Sequence, residues 1–483
     1  MTIPAAQAEA DALLRRLSGA PPVETHISAV YLGADTAWKL KKAVKLSFLD
    51  FTALATREEM ARHELALNQP AAPMLYRDVV PLTRRADGSL ELDGDGPAAD
   101  WVLRMARLPA DAFLDRIAAR GGLTGALLDS LADSVVADHA RRPVLDLPDA
   151  AARLRAVCDG NRDAALGAGL APARVAAWHT ACTAAIDARA DTLRARAAAG
   201  RVRRCHGDLH LGNLCLIDGV PTPFDALEFD EALASIDTGY DLAFLLMDLD
   251  LRASRAAANR VLNRYVARTG DAGLVPCLPP WLSLRAMVRA HASREPAYLN
   301  TAERALIPVP PVLIAIGGLQ GTGKSTLARR IAPLIGPAPG ALVLRSDEIR
   351  KRLAGVAPEE RLPESAYAPG SGAPVFAALE ADARGAVAGG HTVIADRMFM
   401  EPAERAAIAT AAGPAPFLGI WLHAPMDVLE ARIAGRTGDA SDATVEVLRR
   451  TAAEAAPPAD WHHIDTTDGD AAARQVMALI AAC

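Results

Sequence analysis

The sequence lacks several features that would place the protein in a membrane or outside the cell. No apolar run approaches the roughly 20 residues that a membrane-spanning helix needs. The first residues are acidic and amphipathic, without the basic and apolar regions of a signal peptide. The six cysteines form no CxxC pair, which is typical of a reducing compartment and argues against structural zinc. We therefore expect a cytoplasmic protein without a membrane partner.

The chain also has no excess of positive charge. Its formal net charge is −6, so it presents no general basic field, and a nucleic-acid partner is unexpected. The hydrophobic content of 51% is ample for buried cores and excludes a largely disordered chain. At 483 residues the chain is long enough for two or three domains of roughly 100–200 residues. The sequence leaves the oligomeric state open.

Lysine is scarce, and its few positions are clustered. Only six of the 52 basic residues are lysine, and four of these lie within residues 39–45. The other two are Lys324 and Lys351. Because a lysine ammonium is a compact point charge and an arginine guanidinium is a wide planar fork, lysine is retained where the fork cannot substitute. The distribution indicates two separate phosphate sites, with a solvated basic strand as the alternative for the first cluster.

The hydrophobic pattern divides the chain near its proline-rich segment. Strand patterns with one helix in residues 22–108 are typical of a small α+β lobe, and mainly helical patterns follow in 109–306. The prolines of 307–311 prevent regular structure, because proline lacks the amide donor and fixes φ. In 312–483 strands and helices alternate, which predicts a parallel sheet flanked by helices. We predict one domain of residues 1–306, a linker, and a second domain that folds independently of the first.

The segment RCHGDLHLGN, residues 204–213, has the layout of a kinase catalytic loop. Asp208 precedes Asn213 by five positions, as required when an acid accepts the proton of the acceptor hydroxyl and an amide holds Mg²⁺. Asp225 follows a predicted hairpin and is the expected second metal ligand. Residues in this order predict phosphoryl transfer from ATP to a hydroxyl group.

Such a site also needs a lysine on an early strand that faces the ATP phosphates. The A-x-K arrangement favours Lys39, and Lys41 is the second choice because alternate side chains of a strand share a face. Glu64 on the following predicted helix is the expected ion-pair partner, with Glu58 and Glu59 as weaker candidates.

The motif HGDLHLGN, with the following FD and YDLAFLL, resembles the aminoglycoside phosphotransferase-like branch of the protein-kinase fold over roughly residues 22–294. The resemblance implies Asp208 as catalytic base, Asn213 and Asp225 as Mg²⁺ ligands, and an adenine-binding hinge near Met105. It does not fix the substrate, because members of this branch phosphorylate antibiotics, sugars and amino alcohols.

Other polar residues of this segment have open roles. His206 and Asp241 are expected to hold the shape of the catalytic loop. Glu228, Asp230 and Glu231 could attract a cationic substrate, or they form an ordinary solvated turn.

The segment GGLQGTGKST, residues 317–326, is a complete phosphate-binding loop. It matches G-x-x-x-x-G-K-[ST] between a strand pattern and a helix pattern, which is the context that this motif requires. Backbone N–H groups of such a loop wrap the phosphates, and the helix N-terminus adds its dipole. The predicted nucleotide contacts are Gly318, Gly321, Gly323, Lys324, Ser325 and Thr326. Ser325 is also a predicted Mg²⁺ ligand.

Charged residues downstream supply the rest of a second site. Asp347 and Arg350 lie one helical turn apart and face the same side. Asp396 ends the predicted third strand, where an acid orders the water shell of the metal. Arg432 and Arg436 are spaced i and i+4. Helix capping is the alternative role for Asp347, and a solvated helix face is the alternative for the two later arginines.

This second set resembles the small P-loop kinases, such as gluconate kinase, chloramphenicol phosphotransferase, polynucleotide kinase and zeta-toxin-like enzymes, over about residues 311–480. The resemblance implies that Asp347 orients or deprotonates the acceptor hydroxyl and that Arg350 contacts substrate or phosphate. It implies that the two later arginines close over the transferring phosphate as a lid.

The whole arrangement resembles a bacterial fusion of two unrelated kinase types. The expected fold is an α+β protein-kinase-like (aminoglycoside phosphotransferase-like) domain followed by an α/β P-loop NTPase domain with a parallel sheet. The expected cofactors are ATP and Mg²⁺, and the expected partners are small hydroxyl compounds. Three hypotheses remain: two active kinase modules, one active module with a nucleotide-binding regulator, or a P-loop NTPase switch.

Overall fold

The computed structural model describes residues 2–46, 49–147, 149–368, 370–435 and 440–483. By their contacts the residues form two compact units. The first comprises Met1–Leu123, Ala137–Leu145 and Val202–Asp241, and the second comprises Thr124–Val136, Asp146–Arg201 and Leu242–Cys483. This grouping differs from the predicted division at 307–311, and the limits of the independently folding parts stay a prediction.

The strands lie in both units. In chain order they are β1 (Val23–Glu24), β2 (Ser28–Leu32), β3 (Thr36–Lys41), β4 (Lys45–Leu46), β5 (Leu49–Asp50), β6 (Tyr76–Arg84), β7 (Leu90–Leu92), β8 (Ala98–Ala106), β9 (Val202–Arg204), β10 (Leu214–Ile217), β11 (Val220–Pro223), β12 (Ser235–Asp237), β13 (Leu313–Gly318), β14 (Leu342–Arg345), β15 (Val393–Asp396), β16 (Phe417–His423) and β17 (His462–Asp465).

Along the chain, the helices are most frequent between β8 and β13. In chain order they are α1 (Ala8–Ser18), α2 (Leu54–Asn68), α3 (Leu114–Ala119), α4 (Gly125–Arg141), α5 (Ala150–Gly167), α6 (Pro172–Asp187), α7 (Ala190–Ala198), α8 (Glu231–Ala234), α9 (Thr238–Arg252), α10 (Arg255–Thr269), α11 (Leu278–Ser293), α12 (Pro296–Arg304), α13 (Lys324–Ile331), α14 (Ser346–Leu353), α15 (Gly372–Ala388), α16 (Pro402–Ala411), α17 (Met426–Ala434), α18 (Val445–Glu454) and α19 (Gly469–Ala482). Among the described residues, none of these helices combines the length and the apolar character of a membrane span.

The first unit contains an antiparallel sheet of six strands in the order β1-β2-β3-β8-β6-β7. Its two faces bury different apolar sets, because side chains alternate along each strand. Leu40 of β3 packs in the core cluster that includes Leu14 of α1. Ala37 of the same strand packs in the cluster that includes Ala61 of α2. Lys39 and Lys41 therefore share the sheet face that α2 covers.

Two short ladders in the first unit frame the predicted catalytic segments. The strand β9 pairs with β12, and the segment that carries Asp208 leaves the end of β9. The strands β10 and β11 form an antiparallel hairpin. Asn213 directly precedes this hairpin, and Asp225 follows it after one residue, Phe224. The hairpin thus brings the two predicted metal ligands to the same end.

The second unit contains a parallel sheet of five strands in the order β14-β15-β13-β16-β17. Four of these strands were predicted, and the α/β class is confirmed. The fifth, β17, was not predicted. Its residues, HHID, are mostly exposed, so its sequence has no apolar run. The core contains Ile314, Ile394 and Ile420 from three of the strands.

The helix α10 covers the edge of this parallel sheet. Asn263 accepts a hydrogen bond at Oδ1 from the Val343 amide of β14, with N···O 2.7 Å. Asn259 Nδ2 donates to the Ala341 carbonyl at 3.0 Å. An edge strand has unpaired backbone groups, and proteins often cover them with a helix or loop. These contacts join a helix that precedes the predicted linker to the sheet that follows it.

Candidate active sites

The first candidate site is built on two lysines of β3. Lys39 Nζ lies 2.7 Å from Glu64 Oε1 and 2.5 Å from Asp225 Oδ1. Burial alone would lower the pKa of Lys39, but the Asp225 and Glu64 carboxylates raise it well above its ordinary value. The lysine therefore stays protonated, as a phosphate-binding cation must. The structure brings together three residues that the sequence analysis assigned to this site.

The segment that begins at Asp225 is attached to the small sheet and to α2. Asp225 has a φ of 60°, and its amide donates to the Tyr76 hydroxyl at 2.9 Å. The Ala226 amide donates to Asn68 Oδ1 at 2.8 Å. Tyr76 lies on β6 and Asn68 ends α2. Neither residue was identified from the sequence, because both act through contacts distant along the chain.

In the catalytic-type loop, the side chain of Asn213 holds Asp208 in place. Asn213 Nδ2 donates to Asp208 Oδ2 at 2.9 Å and to the Asp208 carbonyl at 3.0 Å. Because this amide nitrogen faces Asp208, the Oδ1 atom of Asn213 is left as the ligand-type oxygen. The Asp208 side chain is 39% exposed, so an acceptor molecule can reach it.

Asp241 and His206 hold the backbone of this loop. The buried Asp241 carboxylate accepts hydrogen bonds from the His206 amide at 3.1 Å and the Gly207 amide at 2.9 Å. Burial lowers the pKa of His206, although the Asp241 carboxylate opposes this shift. The neutral imidazole contacts the Phe224 carbonyl at 2.9 Å. These contacts give both residues a structural position behind Asp208.

Met105 lies near the end of β8 and is buried in the core beneath the sheet. It pairs with Ala37 of β3 and Tyr76 of β6. The chain leaves the sheet after Ala106. A role for Met105 at an adenine-binding hinge stays a prediction.

The second candidate site is the loop between β13 and α13. Gly318 and Gly321 have φ values of 128° and 80°. A Cβ on Gly318 would lie 2.4 Å from the Leu422 carbonyl oxygen, and one on Gly321 would lie 2.8 Å from the Leu429 carbonyl oxygen. Only glycine meets both conditions at these positions. Gly323 has a φ of 84° and precedes α13, whose exposed Thr326 lies in the first turn.

The polar side chains of this loop converge with the end of β15. Lys324 Nζ donates to the Gly318 and Leu319 carbonyls, each at 2.9 Å. Ser325 Oγ donates to Asp396 Oδ2 at 2.5 Å. The structure thus brings the predicted nucleotide-binding lysine and the two predicted Mg²⁺ ligands of this site together.

Both sites offer the atoms that Mg²⁺ prefers, which are carboxylate, amide and hydroxyl oxygens. In the first site these are oxygens of Asn213 and Asp225, and the Asp225 side chain is 41% exposed. In the second they are oxygens of Ser325 and Asp396, which already contact each other. The residues present therefore fit the metal in each case.

Asp347 lies in the first turn of α14 and faces the same cleft. Burial raises the pKa of its carboxyl above the ordinary value, the Arg345 guanidinium opposes this, and the Asp396 carboxylate adds to it. A carboxyl with a raised pKa is a stronger base than an exposed one. Arg345, which the sequence analysis missed, lies 3.3 Å from Asp396 and 2.8 Å from Glu348.

Arg350 contacts a neighbouring segment of its own unit. Its Nη1 donates to the Ala366 carbonyl at 2.8 Å and to the Ser371 carbonyl at 3.3 Å. Its guanidinium also lies 5.0 Å from the centre of the Tyr367 ring. Arg350 therefore helps to hold this wall of the cleft, and a contact with substrate or phosphate stays a prediction.

Arg432 lies against the phosphate-binding loop. Its Nη2 donates to the Thr466 carbonyl at 2.6 Å, and its Nη1 lies 3.4 Å from the Gly321 carbonyl. These contacts anchor the side chain beside the site where a phosphate would lie. Arg436, the second predicted lid arginine, lies outside the described residues.

Lys351 has a structural position. It is fully buried, and its Nζ contacts the Pro358 carbonyl at 2.9 Å and Asp442 Oδ1 at 3.2 Å. Asp442 also accepts from the Tyr367 hydroxyl at 2.6 Å. Of the two later lysines, Lys324 lies in the phosphate-binding motif and its phosphate contact stays a prediction, whereas Lys351 fixes the wall of the cleft.

A cleft of about 1190 Å³ joins the residues of the second site. Its lining includes the phosphate-binding loop, Asp347, Asp396 and Arg432. The volume is sufficient for a nucleotide and a small acceptor together.

Two solved structures are similar to parts of the chain. A gluconokinase from Sinorhizobium meliloti 1021 is 20% identical and covers 36% of this chain and 92% of its own, with a TM-score of 0.26. The aminoglycoside phosphotransferase APH(3'')-Id from Streptomyces rimosus is 20% identical and covers 56% of this chain and 96% of its own, with a TM-score of 0.34. The fold assignment rests on the topology and motifs described above.

Family comparison extends over almost the whole chain. Residues 313–458 match the family model described as an AAA domain. The uncharacterized proteins Mb2027c of Mycobacterium bovis and Rv2004c of Mycobacterium tuberculosis are each 30% identical over 476 residues, covering 92% of this chain and 91% of the relative. The chain therefore belongs to the family of these mycobacterial proteins.

Proposed function

We propose that the protein is an ATP-dependent phosphotransferase with two separate sites, each of which transfers the γ-phosphate of ATP to a hydroxyl group of a small molecule. The observation that carries this proposal is the presence of two complete sets of phosphotransfer residues. One set combines Lys39, Asp225 and Asp208. The other combines a phosphate-binding loop with Asp396 and Asp347.

In the first reaction Asp208 acts as the base. It accepts the proton of the acceptor hydroxyl as that oxygen forms its bond to the γ-phosphorus. The bond between the γ-phosphorus and the bridging oxygen breaks, and ADP leaves with the bond's electron pair. Lys39 balances the charge of the phosphates, and Glu64 orients its ammonium. Bound Mg²⁺ would neutralise charge on the β- and γ-phosphate oxygens.

In the second reaction Asp347 has the role of the base. Burial raises the pKa of its carboxyl, which makes the Asp347 carboxylate a stronger base than an exposed aspartate. Lys324 contacts the β- and γ-phosphates, and the backbone amides of the loop wrap them. Arg432 lies close enough to the loop to stabilise charge on the transferring phosphate. An NTPase also needs a residue that orients the attacking water, so a transferred product distinguishes a kinase from a switch.

A transfer assay with γ-labelled ATP tests the proposal. Sugars, amino alcohols, aminoglycosides and nucleosides are offered to the intact chain and to the variants Asp208→Asn and Asp347→Asn. We expect labelled products of two kinds, one lost with each variant. If phosphate release depends on Asp347 and no transferred product is formed, the result would instead support a P-loop NTPase switch.

A further inference from the structure

Lys41 has a second acidic partner that the proposed chemistry does not use. Its Nζ lies 2.7 Å from Glu64 Oε2 and also pairs with Glu228 Oε1. The side chains of Lys41 and Glu228 are only 2% and 5% exposed. Glu228 is therefore neither part of a solvated turn nor open to a cationic substrate.

Glu64 is held from both sides by the two lysines. Its Oε1 contacts Lys39 and its Oε2 contacts Lys41, each at 2.7 Å. With both oxygens paired, the carboxylate cannot rotate away from Lys39 without breaking a buried ion pair. Lys41 therefore fixes the group that orients the phosphate-binding lysine.

Glu228 fixes the other side of the same site. It follows Asp225 by three residues, and the start of this segment is already held by the Tyr76 hydroxyl and the Asn68 amide. Its bond to Lys41 attaches the end of the segment to β3. Asp225 is thus held at both ends of a short loop, beside Lys39.

We propose that Lys41 and Glu228 form a positioning pair, which holds Glu64 behind Lys39 and holds the loop that presents Asp225 to the metal. In this proposal Lys39 contacts the phosphates and Lys41 does not. The inference rests on the proposed function of the first site. It also accounts for a second lysine two positions along the same strand, because only alternate residues reach this face.

The test compares Lys41→Met, Glu228→Gln and the double variant, all with Lys324→Ala so that nucleotide binds only at the first site. Calorimetry measures the affinity for ADP at several Mg²⁺ concentrations, and thermal denaturation measures stability. Loss of a residue that positions a metal ligand typically costs about 10–100-fold in metal affinity. We expect each single variant to lose metal affinity by a factor of this size. The double variant should lose less than the product of the two single losses, because removal of one partner alone leaves a buried charge unpaired.

Lys42→Met is the matched control. Lys42 is also fully buried, and its Nζ pairs with Glu24 at 2.7 Å and with the Thr25 carbonyl at 2.7 Å. Glu24 and Thr25 lie outside the site. This variant should lower the melting temperature and leave the affinity for Mg·ADP unchanged.

The possible outcomes separate the alternatives. If Lys41 contacts phosphate directly, Lys41→Met weakens binding, Glu228→Gln does not, and the positioning role is wrong. If both single variants only lower stability, the pair is structural and the inference is also wrong. If Lys41→Met does not fold, the near-isosteric Glu228→Gln carries the test alone. If the Lys324→Ala parent binds no Mg·ADP, the proposed function of the first site fails, which is a different result from retained affinity in the variants.

Discussion

At the scale of single residues, Asp208 and Asp225 lie in one site but in different surroundings. Asp208 accepts from the Asn213 amide, whereas Asp225 faces the Lys39 ammonium. The first is suited to accept a proton from an acceptor, and the second is suited to hold a metal beside phosphates.

Isosteric substitutions should therefore separate the two acids. Asp208→Asn removes the base and should lower the first transfer by about 10²–10⁴-fold, with little change in nucleotide affinity. Asp225→Asn removes a formal charge from the expected metal ligands and should weaken Mg·ATP binding. Transfer rates and calorimetric affinities measured on both variants check this. Equal losses of affinity in the two variants would contradict the assignment.

His391 gives the second unit a pH-dependent stability. The side chain is buried, and its Nε2 lies 3.1 Å from the Gly340 carbonyl. Burial lowers its pKa from 6.5 to about 4. The stability that neutral His391 contributes is fully present above its pKa in the unfolded state. This contribution is lost as the pH falls towards its pKa in the folded state. The maximum loss is roughly 3 kcal/mol, since each unit of pKa corresponds to about 1.4 kcal/mol.

Denaturant titrations of the wild type and His391→Gln at neutral pH and at about pH 4.5 measure this effect. Glutamine keeps a donor for the carbonyl but does not titrate. We expect the variant to lose less stability on acidification than the wild type. An equal loss in both proteins would show that His391 does not carry the dependence.

Local spacing predicted the candidate residues of the two sites, and contacts between residues far apart in sequence show their partners in the fold. Asp208 with Asn213, and Lys324 with Ser325, lie within short motifs whose chemistry can be inferred from the sequence. The partnership of Lys41 with Glu228 could not be inferred, because the two residues are 187 positions apart and meet only after the fold forms.

At the scale of elements, α10 and β14 depend on each other. The Val343 amide is an edge-strand donor, and Asn263 accepts its hydrogen bond. Asn263→Ala leaves this donor without its partner, and an unsatisfied buried group costs about 1–3 kcal/mol. We expect the free energy of unfolding to fall by that amount. Asn300→Ala, at an exposed asparagine, is the control and should change it by less than about 0.5 kcal/mol.

The type of most elements followed from apolar periodicity. Four strands of the parallel sheet were predicted because their apolar runs lie between helical patterns. The strand β17 was not, because its pairing with β16 is a tertiary contact of mostly polar residues. The covering of β14 by α10 depends on asparagine side chains, which have no periodic signal.

At the scale of the whole molecule, the contacts of α10 change what cleavage of the linker should do. Besides the asparagines, Arg264 Nη1 lies 2.5 Å from Glu359 Oε1. The linker alone predicted two separable halves. With these contacts, which all lie within the second unit, we expect the two pieces of a chain cut within residues 307–311 to remain associated. Size-exclusion chromatography and calorimetry of the cut protein measure this, and two separate peaks with independent melting would contradict it.

The central claim is that one chain holds two independent nucleotide sites. Calorimetric titration of the intact protein with a non-hydrolysable ATP analogue and Mg²⁺ tests it most directly. We expect two nucleotides per chain, and Lys324→Ala should remove one site and leave the affinity of the other within about twofold, as expected for two sites that share no residues. A single site in the wild type that disappears with Lys324→Ala would contradict the claim.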